Sequence, residues 1–274
     1  MTLQNSNIDF KNNKRLSVQV TLSGLSFLVT NLLSKELVFF SEKTLPAPIS
    51  PEELLIALDT SFSETIELQE KFEEVVIIYA TELYTIVPSS LFDETKASEY
   101  LKFNSKILAN DFMAYDQLEN NDITIVYIPF VNINNYLFER YGNFNYYHSN
   151  TLLLKHLLSK EKHYSLPKVY INVLEKSFDI IIINNGILQL CNSYNYNTPE
   201  DLIYYILFCF EQLKLNPDTV DTILLGAIEK DDDNYNMLFN YVRNVSFLNY
   251  KEELNLNTSE AISAHKNILL KLVN

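Results

Sequence analysis

A helix-start motif occurs twice in this chain, each time after three short apolar runs, and this repeat constrains the fold more than any other feature. It reads Ser50-Pro51-Glu52-Glu53-Leu54-Leu55 in the first half and Thr198-Pro199-Glu200-Asp201-Leu202-Ile203 in the second, 148 residues later. The hydroxyl can accept a hydrogen bond from a first-turn N–H, proline needs no donor at the first helical position, and the acids favour the positive end of the helix dipole. The spacing, about half of the 274 residues, predicts a tandem duplication.

Three apolar runs precede each of these helices, and their length and composition predict strands. In the second half they are Val169–Leu174, Phe178–Ile183 and Ile187–Cys191. In the first half they are Leu16–Leu22, Leu25–Thr30 and Leu37–Ser41, with Ser23-Gly24 at the first turn. Short runs rich in Val, Ile and Phe, separated by polar or glycine breaks, are typical of a strand meander. The order strand, strand, strand, helix is therefore predicted for both halves.

Further strands and helices are predicted after each repeat. The strands are Glu74–Ala80, Leu83–Val87, Phe112–Leu118, Ile123–Tyr127, Thr222–Ala227 and Val245–Asn249. The helices are Pro88 to Phe103, Asn132–Arg140, Asn150–Lys162, Asp231 to Arg243 and an amphipathic Ser259–Leu272. We predict a flexible tail over residues 1–14, a first subdomain over 15–147, and a second subdomain over 148–274 that includes the connecting helix and the C-terminal helix.

Composition limits the classes of function. The formal net charge of −14 argues against nucleic-acid binding, because Lys and Arg hold a phosphate backbone and here 35 acids outnumber 21 bases. The polar N-terminus has no signal-peptide core, and the longest apolar run, Leu202–Phe210, is far shorter than the roughly 20 residues that cross a bilayer. These features predict a cytoplasmic protein without a transmembrane segment. Cys191 and Cys209 are expected to be buried free thiols.

Several longer motifs narrow the fold. They are Leu16-Ser17-Val18-Gln19, Cys191-Asn192-Ser193-Tyr194, Thr198 to Tyr205, Leu224-Leu225-Gly226 and Tyr241-Val242-Arg243-Asn244-Val245. Together they resemble the domain-of-unknown-function family 3822 of the Bacteroidota, and the resemblance spans nearly the whole chain. It implies an α/β protein with the actin-like ATPase (ribonuclease H-like) fold, in which two tandem duplicated subdomains each carry a mixed sheet flanked by helices. It implies almost nothing about function.

The implied fold also fixes where an ATP site would lie. In this architecture each half contributes a hairpin turn after an Asp-x-Gly, whose Asp reaches the metal and whose glycines let backbone N–H groups approach the phosphates. Here the first pattern falls on Gln19-Val20-Thr21 and the second on Asn172 to Asp179. The glycine pair that would lie against adenosine is reduced to Gly226. A neutral amide is a poor substitute for a carboxylate on a hard cation, and a β-carbon blocks the approach of a phosphate.

The cleft is therefore predicted to be a degenerate nucleotide site. Its positions are Gln19, Thr21, Ser23, Gly24, Asn172, Glu175, Lys176, Ser177, Asp179 and Gly226. Asp179 begins an apolar strand and is expected to point to solvent. ATP hydrolysis by the usual route is not expected, no catalytic or metal-binding residue is assigned, and no cofactor is predicted.

Three other features could carry chemistry or binding. Asp231-Asp232-Asp233 lacks the glycine and the closing acid of a calcium loop and is better explained as a helix start. His148, His156 and His163 lie near one predicted helix, where His156 and His163 share a face at seven-residue spacing. Metal ligation would need a third ligand that the local sequence does not offer, so the histidines are expected to be solvated or partly packed. The aromatic residues of Tyr136–Tyr147 are expected to pack in a core, with an exposed contact patch as the alternative.

Three functions remain open from the sequence. The first is a non-enzymatic scaffold with a degenerate actin-like ATPase fold, which binds another protein or forms a homo-oligomer. The second is a nucleotide-binding or phosphotransfer protein that uses Glu175, Lys176, Ser177 and Asp179 at the cleft. The third is a cytoplasmic scaffold of a membrane assembly platform, which the similarity of the fold to pilus-assembly proteins suggests.

Overall fold

Two equivalent five-stranded sheets organise the computed structural model, which describes residues 13–102, 107–108, 111–248 and 265–273. The strands of the first sheet are β1 (Lys14–Thr21), β2 (Gly24–Asn31), β3 (Leu37–Thr44), β4 (Glu74–Tyr79) and β8 (Asn145–His148). Those of the second are β9 (Lys168–Val173), β10 (Ser177–Asn184), β11 (Ile187–Asn195), β12 (Asp221–Gly226) and β13 (Val245–Phe247). Their spatial orders, β3-β2-β1-β4-β8 and β11-β10-β9-β12-β13, are equivalent. In each sheet the first three strands form an antiparallel meander and the last two add in parallel, which confirms the duplication.

A third, smaller sheet and seven helices complete the described structure. The small antiparallel sheet has the order β5 (Tyr84–Pro88), β7 (Ile123–Tyr127), β6 (Ala114–Leu118). The helices are α1 (Pro51–Glu64), α2 (Ala97–Leu101), α3 (Val131–Tyr141), α4 (Ser149–Lys160), α5 (Pro199–Gln212), α6 (Asp233–Tyr241) and α7 (Ile268–Lys271). Helices α1 and α3 pack together in the first half as α5 and α6 do in the second.

The repeated motif forms the same capping box at the start of α1 and of α5. The Ser50 hydroxyl accepts the N–H of Glu53 at 3.2 Å, and the Glu53 carboxylate accepts the N–H of Ser50 at 2.9 Å. Thr198 and Asp201 make the same reciprocal pair, at 3.2 Å in both directions. Because these bonds satisfy N–H groups that have no partner inside the helix, the local sequence fixes both helix starts.

The largest hydrophobic core joins the two halves. The inner face of the second sheet contributes Tyr170, Ile181 and Leu225, and α4 contributes Leu153 and Leu157; each is at most 1% exposed. A separate core fills the space between the second sheet and α5 and α6, and a small one lies under α2. A large apolar interface between two halves restrains their relative motion. The subdomain boundary proposed at residues 147 and 148 stays a prediction.

The structure corrects the predicted helix from Pro88 to Phe103. Two short 3-10 turns, Ser89–Leu91 and Glu94–Lys96, precede α2, which is the only α-helix in the described part of that range. The chain turns at Asp93, whose carboxylate accepts the N–H and the hydroxyl of Thr95 at 3.0 and 2.6 Å. An Asp side chain that binds nearby backbone offers an alternative to helical hydrogen bonding. The sequence analysis also missed strand β8, which lies in the aromatic-rich stretch.

The predicted terminal segments differ from the structure where it describes them. Residues 259–264 of the predicted C-terminal helix lie outside the described residues. Within the described part, His265, Lys266 and Asn267 form a turn, and Asn267 has a left-handed φ of 53° that ends any continuous helix before α7. At the other end, residues 1–12 of the predicted tail lie outside the described residues, and Lys14 already begins β1.

The aromatic stretch near α3 packs inward, which makes the exposed-patch alternative wrong for most of it. Tyr136 and Tyr141 lie with ring centroids 6.2 and 5.9 Å from the buried Phe62 of α1. Phe144, Tyr146 and Tyr147 also pack against the largest core, and only Phe138, at 61% exposure, projects to solvent. Cys191 and Cys209 are free thiols, as predicted; Cys209 is buried and the residue Cys191 is partly so.

Candidate functional site

A cavity of about 250 Å³ lies between the two halves, where the turn after β1 faces the turn after β9. Seven of the ten predicted cleft positions line it: Gln19, Thr21, Ser23, Gly24, Asn172, Glu175 and Gly226. The strand meanders bring them together, because β1 and β9 hold equivalent places in the two sheets. Lys176, Ser177 and Asp179 do not line the cavity.

In the first turn, the polar groups bond to one another. The Thr21 hydroxyl accepts the N–H of Ser23 at 3.2 Å and donates to the carbonyl of Gly24 at 3.1 Å. A phosphate cradle needs several free N–H groups that point to one place. Because Thr21 already occupies the Ser23 N–H, this turn has one donor fewer for an anion.

Hydrogen bonds to backbone groups also close the second turn. The N–H of Leu174 donates to the carbonyl of Ser177 at 2.8 Å, and the carbonyl of Lys176 accepts the N–H of Tyr196 at 3.1 Å. The Tyr196 hydroxyl donates to the carbonyl of Leu174 at 2.9 Å. Glu175 and Lys176 are exposed at the tip. The turn is therefore a tight hairpin fastened to the end of β11, and not an open glycine loop.

Asp179 is buried, which contradicts the expectation that it points to solvent. It is 4% exposed, and it lies directly opposite Asn172 on β9 and Ser193 on β11. Side chains at directly opposed positions share one face of a sheet, so all three meet. The Asp179 carboxylate accepts the Asn172 amide at 2.9 Å and the Ser193 hydroxyl. Burial raises the pKa of Asp179, against the lowering effect of these hydrogen bonds.

This polar group connects the two halves. The Ser193 hydroxyl lies 3.2 Å from the hydroxyl of Tyr84, which belongs to β5, and the Cys191 thiol lies 3.7 Å from the same oxygen. Burial raises the pKa of Tyr84 and of Cys191. Asp179 is thus held inside a network that joins the halves, where its oxygens already have donors.

The end of β12 approaches the second turn very closely. Gly226 has φ +86°, and a β-carbon there would lie 2.1 Å from the carbonyl oxygen of Val173 and 2.8 Å from Oδ1 of Asn172. The N–H of Gly226 donates to the carbonyl of His265 at 2.9 Å. Only glycine fits this position, and the strand end is covered by the C-terminal segment.

The sequence analysis missed the contribution of that segment to the cavity. Lys266, Asn267, Ile268 and Leu269 form one wall, opposite the two turns. The sequence of this segment showed only an apolar pattern, which predicted a helix packed between domains. That pattern did not indicate that the segment would line the cleft. Contacts between residues 40 or more positions apart carry no local sequence signature.

His148 differs from the prediction of a solvated or partly packed side chain. It is fully buried at the start of α4, where its Nδ1 accepts the N–H of Asn150 at 3.2 Å and its Nε2 lies 2.9 Å from the carbonyl oxygen of Thr81. These partners require a neutral ring with its proton on Nε2. Burial lowers the pKa of His148 to about 4.

The site has few side chains that could act as ligands of a metal ion. Across the described ranges, no three His, Cys, Asp or Glu side chains come together as possible metal ligands. The cleft positions that would carry the metal-binding Asp hold the amides of Gln19 and Asn172, and Asn172 donates to Asp179. A hard cation prefers carboxylate oxygens.

A family model for proteins of unknown function matches residues 3–245. The chain belongs to the DUF3822 family. The resemblance seen in the sequence motifs is therefore confirmed, and the family description assigns no activity to this DUF3822 protein.

Comparison with solved structures confirms the actin-like ATPase fold. A Bacteroides thetaiotaomicron protein with actin-like ATPase fold and unknown function is 25% identical, with a TM-score of 0.81 over 97% of this chain and 98% of that one. The PilM-PilN type IV pilus biogenesis complex contains a chain that is 11% identical, with a TM-score of 0.62 over 94% of this chain and 96% of that one. No curated protein sequence matches the chain. No helix in the described ranges is long and apolar enough to span a membrane.

Proposed function

We propose that this DUF3822 protein is a cytoplasmic, non-enzymatic scaffold that keeps the actin-like ATPase fold without its ATP chemistry. One observation carries the proposal: Asn172 and Thr21, two of the cleft residues that would face metal and phosphate, bond to the protein itself. Asn172 donates to Asp179, and the Thr21 hydroxyl holds the N–H of Ser23. An ATP site would need these groups to be free, and its metal would need a carboxylate where the cleft has amides.

The competing function, a nucleotide-binding or phosphotransfer protein, has less support. It relies on Glu175, Lys176, Ser177 and Asp179, and of these only Glu175 lines the cavity. Lys176 is exposed at the hairpin tip, and Asp179 lies inside the network between the halves. The four side chains do not converge on one place where a phosphate could lie.

We expect ATP to leave the thermal stability unchanged. A ligand that binds only the folded state at 100 times its dissociation constant adds about 2.7 kcal/mol, which raises the Tm by several degrees. Thermal unfolding should therefore give the same Tm with millimolar ATP and magnesium as with magnesium alone. A saturable rise in Tm that Glu175→Ala or Lys176→Ala removes would contradict the proposal and favour the competing function. Both side chains are exposed, so the two variants are expected to fold.

The proposed scaffold role also requires a protein partner. The PilM chain of similar fold was solved in a complex with PilN, and a partner for this DUF3822 protein is proposed by analogy of fold. Either a different protein or a second copy of this chain would satisfy the role. Light scattering on the purified protein, and on the tagged protein isolated from its natural host, should reveal a stable oligomer or a stoichiometric companion. A monomer without a companion in both preparations would count against a scaffold.

A further inference from the structure

The backbone donors around the cavity between the two turns are occupied. Four residues of its lining are Ser23 and Leu174 in the turns and Gly226 and Ala227 at the end of β12. The N–H of each one donates to another group of the protein. Free N–H groups are what an anion needs at such turns. The amide and hydroxyl side chains of the lining therefore decide what the cavity can hold.

Two amides, Gln19 and Asn172, hold equivalent positions in the two sheets, and both line the cavity. Each directly precedes a valine whose carbonyl accepts the N–H of an alanine that follows the neighbouring parallel strand. The residue opposite Asn172 is Asp179, which accepts its amide at 2.9 Å. The residue opposite Gln19 is Ser26. The acid that binds the amide in the second half is thus replaced by a small hydroxyl side chain in the first.

The amide of Gln19 lacks the partner that Asn172 has. Gln19 is 8% exposed, and its Oε1 is buried without a hydrogen-bond partner in the part of the chain that the structure describes. A buried polar group without a partner destabilises a folded protein, and native structures keep few of them. A half-turn of the amide exchanges the places of its oxygen and nitrogen, so a molecule in the cavity can meet either atom. Such a molecule can supply the missing partner.

The charge and the size of the cavity limit what that molecule can be. The charged residues of the lining are two acids, Glu42 and Glu175, and two bases, Lys43 and Lys266, so together they add no net charge. Both acids are exposed, and they give a cation no buried ligand. The volume of about 250 Å³ is below the roughly 300 Å³ at which pockets for drug-sized ligands begin. The lining therefore suits a small molecule without charge.

We propose that the cavity binds a small uncharged polyol, one hydroxyl of which bonds to the Gln19 amide. A hydroxyl donates and accepts through the same oxygen, so it matches amides and other hydroxyls whichever way these are turned. Ser26 and Ser23 also line the cavity and can bond further hydroxyls of the same molecule. A polyol needs neither a metal nor a phosphate-binding turn. The inference therefore adds a ligand to a protein without ATP chemistry, and it goes beyond the proposed scaffold role.

Thermal unfolding with millimolar myo-inositol, D-ribose or D-glucose tests the proposal. At least one of these probes should raise the Tm saturably, by about 5 °C at 100 times its dissociation constant. Gln19→Leu keeps a side chain of similar size without hydrogen-bonding groups, and it should weaken binding about tenfold or more, as measured by titration calorimetry. Ser26→Ala should weaken binding of the same probe by a smaller factor. Polyols also stabilise proteins by exclusion from the surface, but that effect does not depend on one residue.

Gln189→Leu is the matched control for Gln19→Leu. It makes the same substitution at an exposed position of β11 outside the cavity lining, and it should keep the full rise in Tm. Without any probe, Gln19→Leu should leave the Tm unchanged or higher, because it removes an amide oxygen that has no partner.

Three results would overturn the proposal. The first is the absence of a saturable rise with all three probes. The second is a rise that Gln19→Leu keeps as fully as Gln189→Leu does. The third is a Tm of Gln19→Leu several degrees below that of the unaltered protein without probe, which would mean that the Gln19 amide is already bonded within the protein. Because no measurement uses a nucleotide, failure here is separate from a failure of the proposed function.

Discussion

Gly226→Ala should lower the free energy of unfolding by about 4 kcal/mol or more, which is enough to leave much of the protein unfolded. Two costs combine at this position. The residue has φ +86°, where a β-carbon is strained, and the added methyl would lie 2.1 Å from the Val173 carbonyl oxygen. That oxygen also accepts the N–H of Ala227 at 2.7 Å, so it has little freedom to move away.

Gly142→Ala is the matched control for the effect of Gly226→Ala. Gly142 also has a positive φ, +72°, but no atom lies within 4 Å of its added β-carbon. Its substitution should therefore cost only backbone strain, about 2 kcal/mol. Urea denaturation followed by circular dichroism measures both variants. Equal losses in the two would mean that the end of β12 relaxes freely, and that the close approach of Gly226 to β9 is not needed for folding.

The duplication was predictable because its signals are local. The two capping motifs lie at the same place in equivalent meanders, and each fixes the start of a helix through bonds between residues three positions apart. The apolar runs before them were short enough to be distinguished from helices. Local chemistry of this kind predicted nearly every strand of the two large sheets, since a strand run and its turns lie within about ten residues.

The parts that were missed depend on distant residues. Strand β8 gives no clear apolar alternation, and it forms because β4 offers a parallel edge to it. In the described C-terminal segment, a turn at residues 265–267 followed by the short helix α7 takes the place of the long predicted helix, because the partners of this segment, Arg15 and Gly226, lie far away in the sequence. Asp179 could not be placed from sequence for the same reason, since its burial depends on its register with β9 and β11.

The sequence predicted which turns line the candidate site, but it did not predict the hydrogen bonds among the side chains there. Seven of the residues chosen by motif matching line one cavity, because the fold fixes where the turns of β1 and β9 meet. The replacements at Gln19 and Asn172 were visible in the sequence, but the bond from Asn172 to Asp179 was not. That bond changes the interpretation of the site, because the one carboxylate retained from the family pattern now joins strands and no longer faces a ligand.

Acidification should destabilise the protein through His148. The ring is neutral in the folded state, with a pKa that burial lowers to about 4, whereas an unfolded histidine titrates near 6.5. Between these two values the unfolded chain binds more protons than the folded one, so stability falls as the pH falls. The difference of roughly 2.5 pKa units corresponds to about 3 kcal/mol, which is present at pH 7 and is lost progressively between about pH 6.5 and pH 4.

His148→Gln isolates this effect from the other titrating groups. Glutamine keeps one acceptor and one donor for the N–H of Asn150 and the carbonyl of Thr81, but it loses the ring contacts with Tyr84 and Tyr127 and carries no proton-binding site. The variant should be less stable at pH 7, and urea denaturation at a series of pH values should show the gap closing as the pH falls toward 4.5. Asp116, Asp179 and His265 titrate in both proteins and cancel in the difference. A gap that stays constant over this range would mean that His148 is protonated without leaving its buried position, which contradicts the neutral ring assigned by its two hydrogen bonds.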